Sequence, residues 1–161
     1  MRFLLLAALV LAAAAPAAQG DARRPDPRRP EGDNLATPPT WTVRLDHPDP
    51  AATVGADSTA DLFFVNMTPG WHVTTGPAAI LYHPASTADG AYRAEALIHL
   101  MDPEGRNEAF GLFVGGRALD GDAVAYDYFV IRTSGEFLVK RRTGAETTTL
   151  IPWTAHPAIV R

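Results

Sequence analysis

The chain has 161 residues, no cysteine and a formal net charge of −4. Without cysteine it forms no disulfide and carries no lipid-modified N-terminal cysteine, so packing alone must stabilise it. A mildly acidic chain also lacks the basic face that nucleic acid or an anionic membrane surface would need.

Residues 1–20, "MRFLLLAALVLAAAAPAAQG", open on Arg2, continue through an apolar run from Phe3 to Ala15 and end in small residues. That layout is a secretory signal peptide, with "APA" or "AQG" as cleavage sites, and the run is too short for a transmembrane helix. The expected location is therefore periplasmic or extracellular. Residues 21–40, "DARRPDPRRPEGDNLATPPT", combine five prolines with many charges and almost no large apolar side chain. Such a stretch cannot bury enough surface to offset its ordering entropy, and it reads as a disordered tether. The folded domain is expected over 41–161, a single domain by size.

From there the pattern is β. "WTVRLD" alternates, "DLFFV" is a short apolar run, and "PGWHVTTGP" is a β-prone run bounded by a Pro-Gly and a Gly-Pro. "PAAILYHP" follows as a strand or an irregular segment. The most regular stretch is "AYRAEALIHLM" (91–101). Tyr92, Ala94, Ala96, Ile98 and Leu100 share one side, and Arg93, Glu95, Leu97 and His99 the other. "EAFGLFVGG", "VAYDYFVIR", "GEFLVKRRT" and "TTTLIPW" complete the set, and "RTSGEF" carries the short glycine-containing turn of a hairpin. Both faces of 124–132 are largely apolar, which predicts an inner strand interrupted by Asp127. Lys140 to Arg142 read as a solvated strand end, and no stretch after residue 20 has helical periodicity. The expected fold is all-β, an antiparallel β-sandwich or jelly roll.

"GWHVTTGP", "EAFGLFVGG", "YDYFVIRTSGEFLVKRR" and "LIPWTAHPAI" resemble the concanavalin A-like β-sandwich proteins. Within them, the nearest likeness is to secreted bacterial laminin-G-like and keto-sugar hydrolase domains. The resemblance spans roughly Trp71 to Arg161 and implies the sandwich more strongly than any activity. Domains of that group continue for several more strands, so the resemblance implies either a sandwich incomplete at its C-terminus or a reduced version of the fold. The open strand edges of an incomplete sandwich would favour self-association.

Three functions are open at this point: a lectin-like carbohydrate-binding domain, a glycoside or 3-keto-sugar hydrolase, and a structural or adhesion module. Glycoside hydrolysis needs two carboxyl groups about 5 to 9 Å apart. The E-x-D-x-x-E-like strand of the glucanase relatives is absent; Glu95 stands alone, and Asp102, Glu104 and Glu108 fall in a turn-like "MDPEGRNEA". No G-x-S-x-G elbow occurs, and the five histidines form no H-x-H or H-x-x-x-H pair. No cofactor is expected. The one metal to weigh is calcium at "LDGD", where Asp120 and Asp122 fall short of the six to eight oxygens calcium takes unless backbone carbonyls supply the rest.

Binding remains the leading expectation. Sugars stack on aromatic rings and exchange hydrogen bonds with planar polar groups. The candidates for a carbohydrate or glycan ligand are Trp71, His72, Thr74, Arg93, Glu95, Asp127 and Arg132, with Arg117, Tyr126 and Tyr128 of suitable type beside them. Trp71 is expected in a sandwich core before it is expected on a ligand, because large aromatics gain most from burial.

Overall fold

The computed structural model describes residues 35–55, 58–67, 70–101 and 105–160. The expected export signal, residues 21–34 of the tether, Thr68, Pro69, Asp102 and Glu104 lie outside the described residues.

The chain is all-β. Among the described residues there is no helix, and eight strands form three antiparallel sheets. β1 (Thr42–Leu45) pairs with β4 (Ala79–Tyr82), and β2 (Leu62–Asn66) pairs with β3 (Trp71–Thr75). β5 (Ala109–Arg117), β6 (Ala125–Arg132), β7 (Glu136–Thr143) and β8 (Glu146–Ala155) lie side by side in chain order. The β6–β7 hairpin closes at the Arg132–Glu136 pair through Thr133–Gly135, where the Gly135 amide donates to the Arg132 carbonyl at 3.0 Å.

Side-chain parity divides the four-stranded sheet into two unlike faces. On one, Phe113, Tyr126 and Tyr128 meet ring to ring at 5.3 and 5.8 Å, and Arg142 lies beside Tyr126 in the register. This face turns toward β1. The Arg142 guanidinium donates to the Asp46 carboxylate, to the Asp46 carbonyl at 3.0 Å and to the Gly144 carbonyl. Arg44 on β1 reaches back to the Leu119 carbonyl at 3.0 Å. The other face carries Leu112, Val114, Asp127, Phe129, Val139 and Arg141, and remains half open, with Phe129 45% exposed. β2 is buried on both faces: Leu62, Phe63, Phe64 and Val65 are all covered. Phe63 and Val65 pack with Ala60 and with Leu35, which is buried in this core although it lies in the stretch expected as a tether.

Two expectations change. Residues 91–101 belong to no strand, and Leu97 is 86% exposed. Alternation makes a segment fit for a sheet face, but a strand also needs a neighbour's ladder, and residues 91–101 pair with none of the eight strands. The expected solvated strand end at Lys140 to Arg142 fails at Arg142, whereas the Arg141 side chain is 56% exposed. All three sit on β7, an inner strand, where Arg142 is 4% exposed and satisfied by Asp46 at the end of β1 and by the β7–β8 turn. The expected inner position of residues 124–132 matches β6.

Glycine sets the sheet's local shape at two places. At Gly111 a Cβ would lie 2.0 Å from the Phe129 carbonyl oxygen, so only glycine admits this approach of β5 to β6. Further along, the register slips between Val114 and Arg117 with Gly115 at φ +66°, a bulge that inserts one residue into β5. The inserted residue reverses the parity of the strand beyond it. Arg117 stands opposite Ala125, on the same face as Asp127.

Candidate binding groove

The half-open face of the four-stranded sheet and the segment beginning at Ala91 enclose two adjoining hollows that share Tyr92, Val114 and Asp127. The polar one, of about 320 Å³, is lined further by Arg117, Arg141, Arg142 and Thr143. The apolar one, of about 370 Å³, is lined further by Ala94, Leu112, Phe129 and Val139. Together they form a groove with charge at one end and hydrocarbon at the other, in the size range of small-ligand sites.

Asp127 and Arg141 form the polar floor. They face each other across β6 and β7, and the carboxylate accepts from Arg141 Nε at 2.7 Å and from Nη2 at 2.8 Å. This two-bond fork fixes both planar groups in one plane and leaves carboxylate lone pairs and guanidinium protons over for a third partner. The Arg141 hydrogen bonds hold the Asp127 carboxyl below its usual range, and the charges of Arg141 and Arg117 add to that. Asp127 is thus an anionic acceptor at neutral pH. It is also the one acid among the groove-lining residues, where paired-carboxylate hydrolysis would need a second.

The other sequence candidates lie elsewhere. Arg132 is five residues from Asp127 and on the opposite face of β6; Glu136 accepts from it at 3.0 and 2.7 Å, and its guanidinium lies 4.0 Å from the Trp153 ring centre. Its donors and its π contact are used in holding the hairpin against β8. Arg93 and Glu95 flank Ala94 on the groove's outer segment and pair with each other at 2.5 Å, both exposed.

Trp71, His72 and Thr74 are on β3, in a different sheet from Asp127. Trp71 is 42% exposed, against the expectation of burial. Its ring meets Trp41 edge-on at 4.9 Å, and Trp41 meets His83 at 5.9 Å, so the three rings join the ends of β1, β3 and β4. On the other face of β3, His72 Nε2 and Thr74 Oγ1 share a hydrogen bond of 3.2 Å, and burial lowers the His72 pKa. Of the seven candidates, the groove collects Asp127.

Arg141 and Tyr92 are groove residues outside that set of seven. The signal for Arg141 lies in the hairpin: counting back five residues on each strand from the Arg132–Glu136 closure brings Asp127 opposite Arg141. For Tyr92 the sequence offers only an aromatic on an alternating run. Among the described residues, no group of three or more His, Asp or Glu side chains is placed to hold a metal ion, Asp120 and Asp122 included. No family model, no curated protein and no solved structure matches this chain.

Proposed function

We propose that this chain is a secreted, lectin-like domain of the concanavalin A-like β-sandwich type that binds carbohydrate in the groove between Tyr92 and strands β5 to β7. The observation that carries the reading is the pairing of an aromatic wall, Tyr92, with a rigid bidentate floor, Asp127–Arg141, in one cleft. A pyranose presents an apolar face suited to the ring and a pair of hydroxyls suited to a carboxylate–guanidinium fork. The apolar end, Leu112, Phe129 and Val139, offers a surface for a second ring or an aglycone. Secretion rests on the signal-like residues 1–20. Antiparallel sheets tied across the Arg142–Asp46 contact suit a sandwich.

A glycan array on the purified protein, followed by calorimetric titration of the best binder, tests the proposal. Tyr92→Ala is expected to weaken binding roughly threefold to tenfold through the lost aromatic contact. Asp127→Asn should weaken it about tenfold, through loss of a charged acceptor. Trp71→Ala is expected to leave affinity unchanged. An array without a bound glycan would point to the structural or adhesion module instead. Loss of binding in Trp71→Ala but not in Tyr92→Ala would move the site to β3.

A further inference from the structure

We infer that the groove selects an acidic sugar, one carrying a carboxylate or a sulfate, and that Arg117 is its counter-charge. This rests on the carbohydrate reading above and sharpens it. Two arginines, Arg117 and Arg141, share the Asp127 face of the polar hollow against that single acid, while Arg142 borders it from the opposite face. Arg142 is committed to Asp46 and the Gly144 carbonyl, and Arg141 to Asp127. The Arg117 guanidinium makes no hydrogen bond or ion pair among the described residues and acts on Asp127 only through its charge. The hollow is therefore locally cationic in a chain whose net charge is −4.

The placement of that free guanidinium comes from the backbone. Regular continuation of β5 would put residue 117 on the face with Phe113, toward β1. The bulge at Gly115 and Gly116 moves it to the Asp127 side instead, at the cost of a ladder interruption and a left-handed residue. Bulges commonly re-aim a side chain beside a binding site. Arg117 also contributes to lowering the Asp127 pKa, so its charge is felt at the floor of the groove. A sugar seated between Tyr92 and the Asp127–Arg141 fork would meet Arg117 beside it. A neutral hydroxymethyl group there leaves the guanidinium unpaired, whereas a carboxylate or a sulfate ester accepts two of its N–H groups at once.

The test is an array of matched glycans on gluco, galacto and manno backbones, each printed in neutral, uronate, uronate methyl ester and sulfated forms. The best acidic binder and its neutral counterpart are then titrated. The wild-type protein is expected to bind the acidic form about tenfold more tightly than its neutral or esterified match at low salt. That preference should shrink in half-molar salt, where the Debye length is only about 4 Å. Arg117→Gln should bind both forms within about twofold, and Arg117→Lys should retain part of the preference. Unchanged far-ultraviolet dichroism and melting in both variants would separate recognition from folding. The uronate and sulfate arms report which acid is taken. Equal binding of acidic and neutral forms, or a preference that survives Arg117→Gln, overturns the inference and leaves the carbohydrate reading standing. Absence of binding across the whole array overturns both.

Discussion

Replacing Arg142 with methionine removes the guanidinium that holds the four-stranded sheet against the end of β1 while keeping most of the side chain's hydrocarbon. Arg142 is 4% exposed and serves three acceptors: the Asp46 carboxylate, the Asp46 carbonyl and the Gly144 carbonyl. Truncating one member of a fully buried ion pair costs about 3 to 5 kcal/mol. The Asp46 side chain is 30% exposed, so water recovers part of that loss. The two orphaned carbonyls add about 1 kcal/mol each, and the methionine's packing offsets a similar amount. The expected net loss is about 3 kcal/mol, a large share of the roughly 5 to 15 kcal/mol of an ordinary domain. In urea, with a slope of about 1 to 3 kcal/mol/M, the unfolding midpoint should fall by at least about 1 M. Asp46→Asn combined with Arg142→Met should lose less than the two single changes added together, because the first change already removes the partner. A second readout is the Tyr126 phenol, which burial and then the Asp46 charge raise, and which Arg142 lowers. Spectroscopic titration of the variant should move it further up. Stability within about 0.5 kcal/mol of wild type, or strict additivity of the pair, would refute the reasoning.

Gly111→Ala places a methyl 2.0 Å from the Phe129 carbonyl oxygen and 2.9 Å from the Val130 Cα, both backbone atoms of the partner strand. A loss of about 3 kcal/mol is expected in the same urea assay. Gly70→Ala, with open space around it, is the matched control; equal stability of the two variants would show that β5 can shift. His72 is lowered by burial from 6.5, so its neutral form stabilises the fold above that pH. That contribution is lost as pH falls through the lowered value. Melting temperature tracked from pH 8 to pH 5 should therefore decline less in His72→Gln than in wild type, and parallel curves would exclude a role for this ring.

Fold class is legible because period-2 alternation and turn residues are local signals. "RTSGEF" specifies its own hairpin, and 124–132, apolar on both sides, reads as the inner strand β6. What local signals do not carry is the partner. The alternation of 91–101 is as regular as that of any strand here, yet no sheet edge takes it up. In sequence Arg142 is one of three adjacent surface-like charges, because its compensating acid, Asp46, is ninety-six residues away in the chain. Simple parity misaims Arg117, since a two-glycine bulge is visible as "GG" but its effect on the residues beyond is not. Asp127 stands out even locally as an interruption of an apolar strand. The identity of its partner, Arg141, emerges only once the hairpin register is counted.

The groove's two sides are anchored very differently, and that bears on how it would bind. Its floor belongs to β6 and β7, which are paired on both sides, locked by the Asp127–Arg141 fork and held from behind by Arg142. Its outer wall is a segment that joins no ladder and keeps Leu97, Ile98, Leu100 and Met101 exposed. Segments with few buried contacts open at low free energy, while ladder-paired strands open near the global stability. Under the proposed binding, a ligand would meet polar groups already in position, and its affinity would be reduced chiefly by what it costs to fix Tyr92 and its neighbours. Polar recognition on the rigid side and aromatic contact on the yielding side would then favour strict selection of charge together with tolerance in ring size. The same division explains why the apolar residues of 91–101 need not be sheet-paired: their alternation still presents Tyr92 and Ala94 on one side, and those are the two that line the groove.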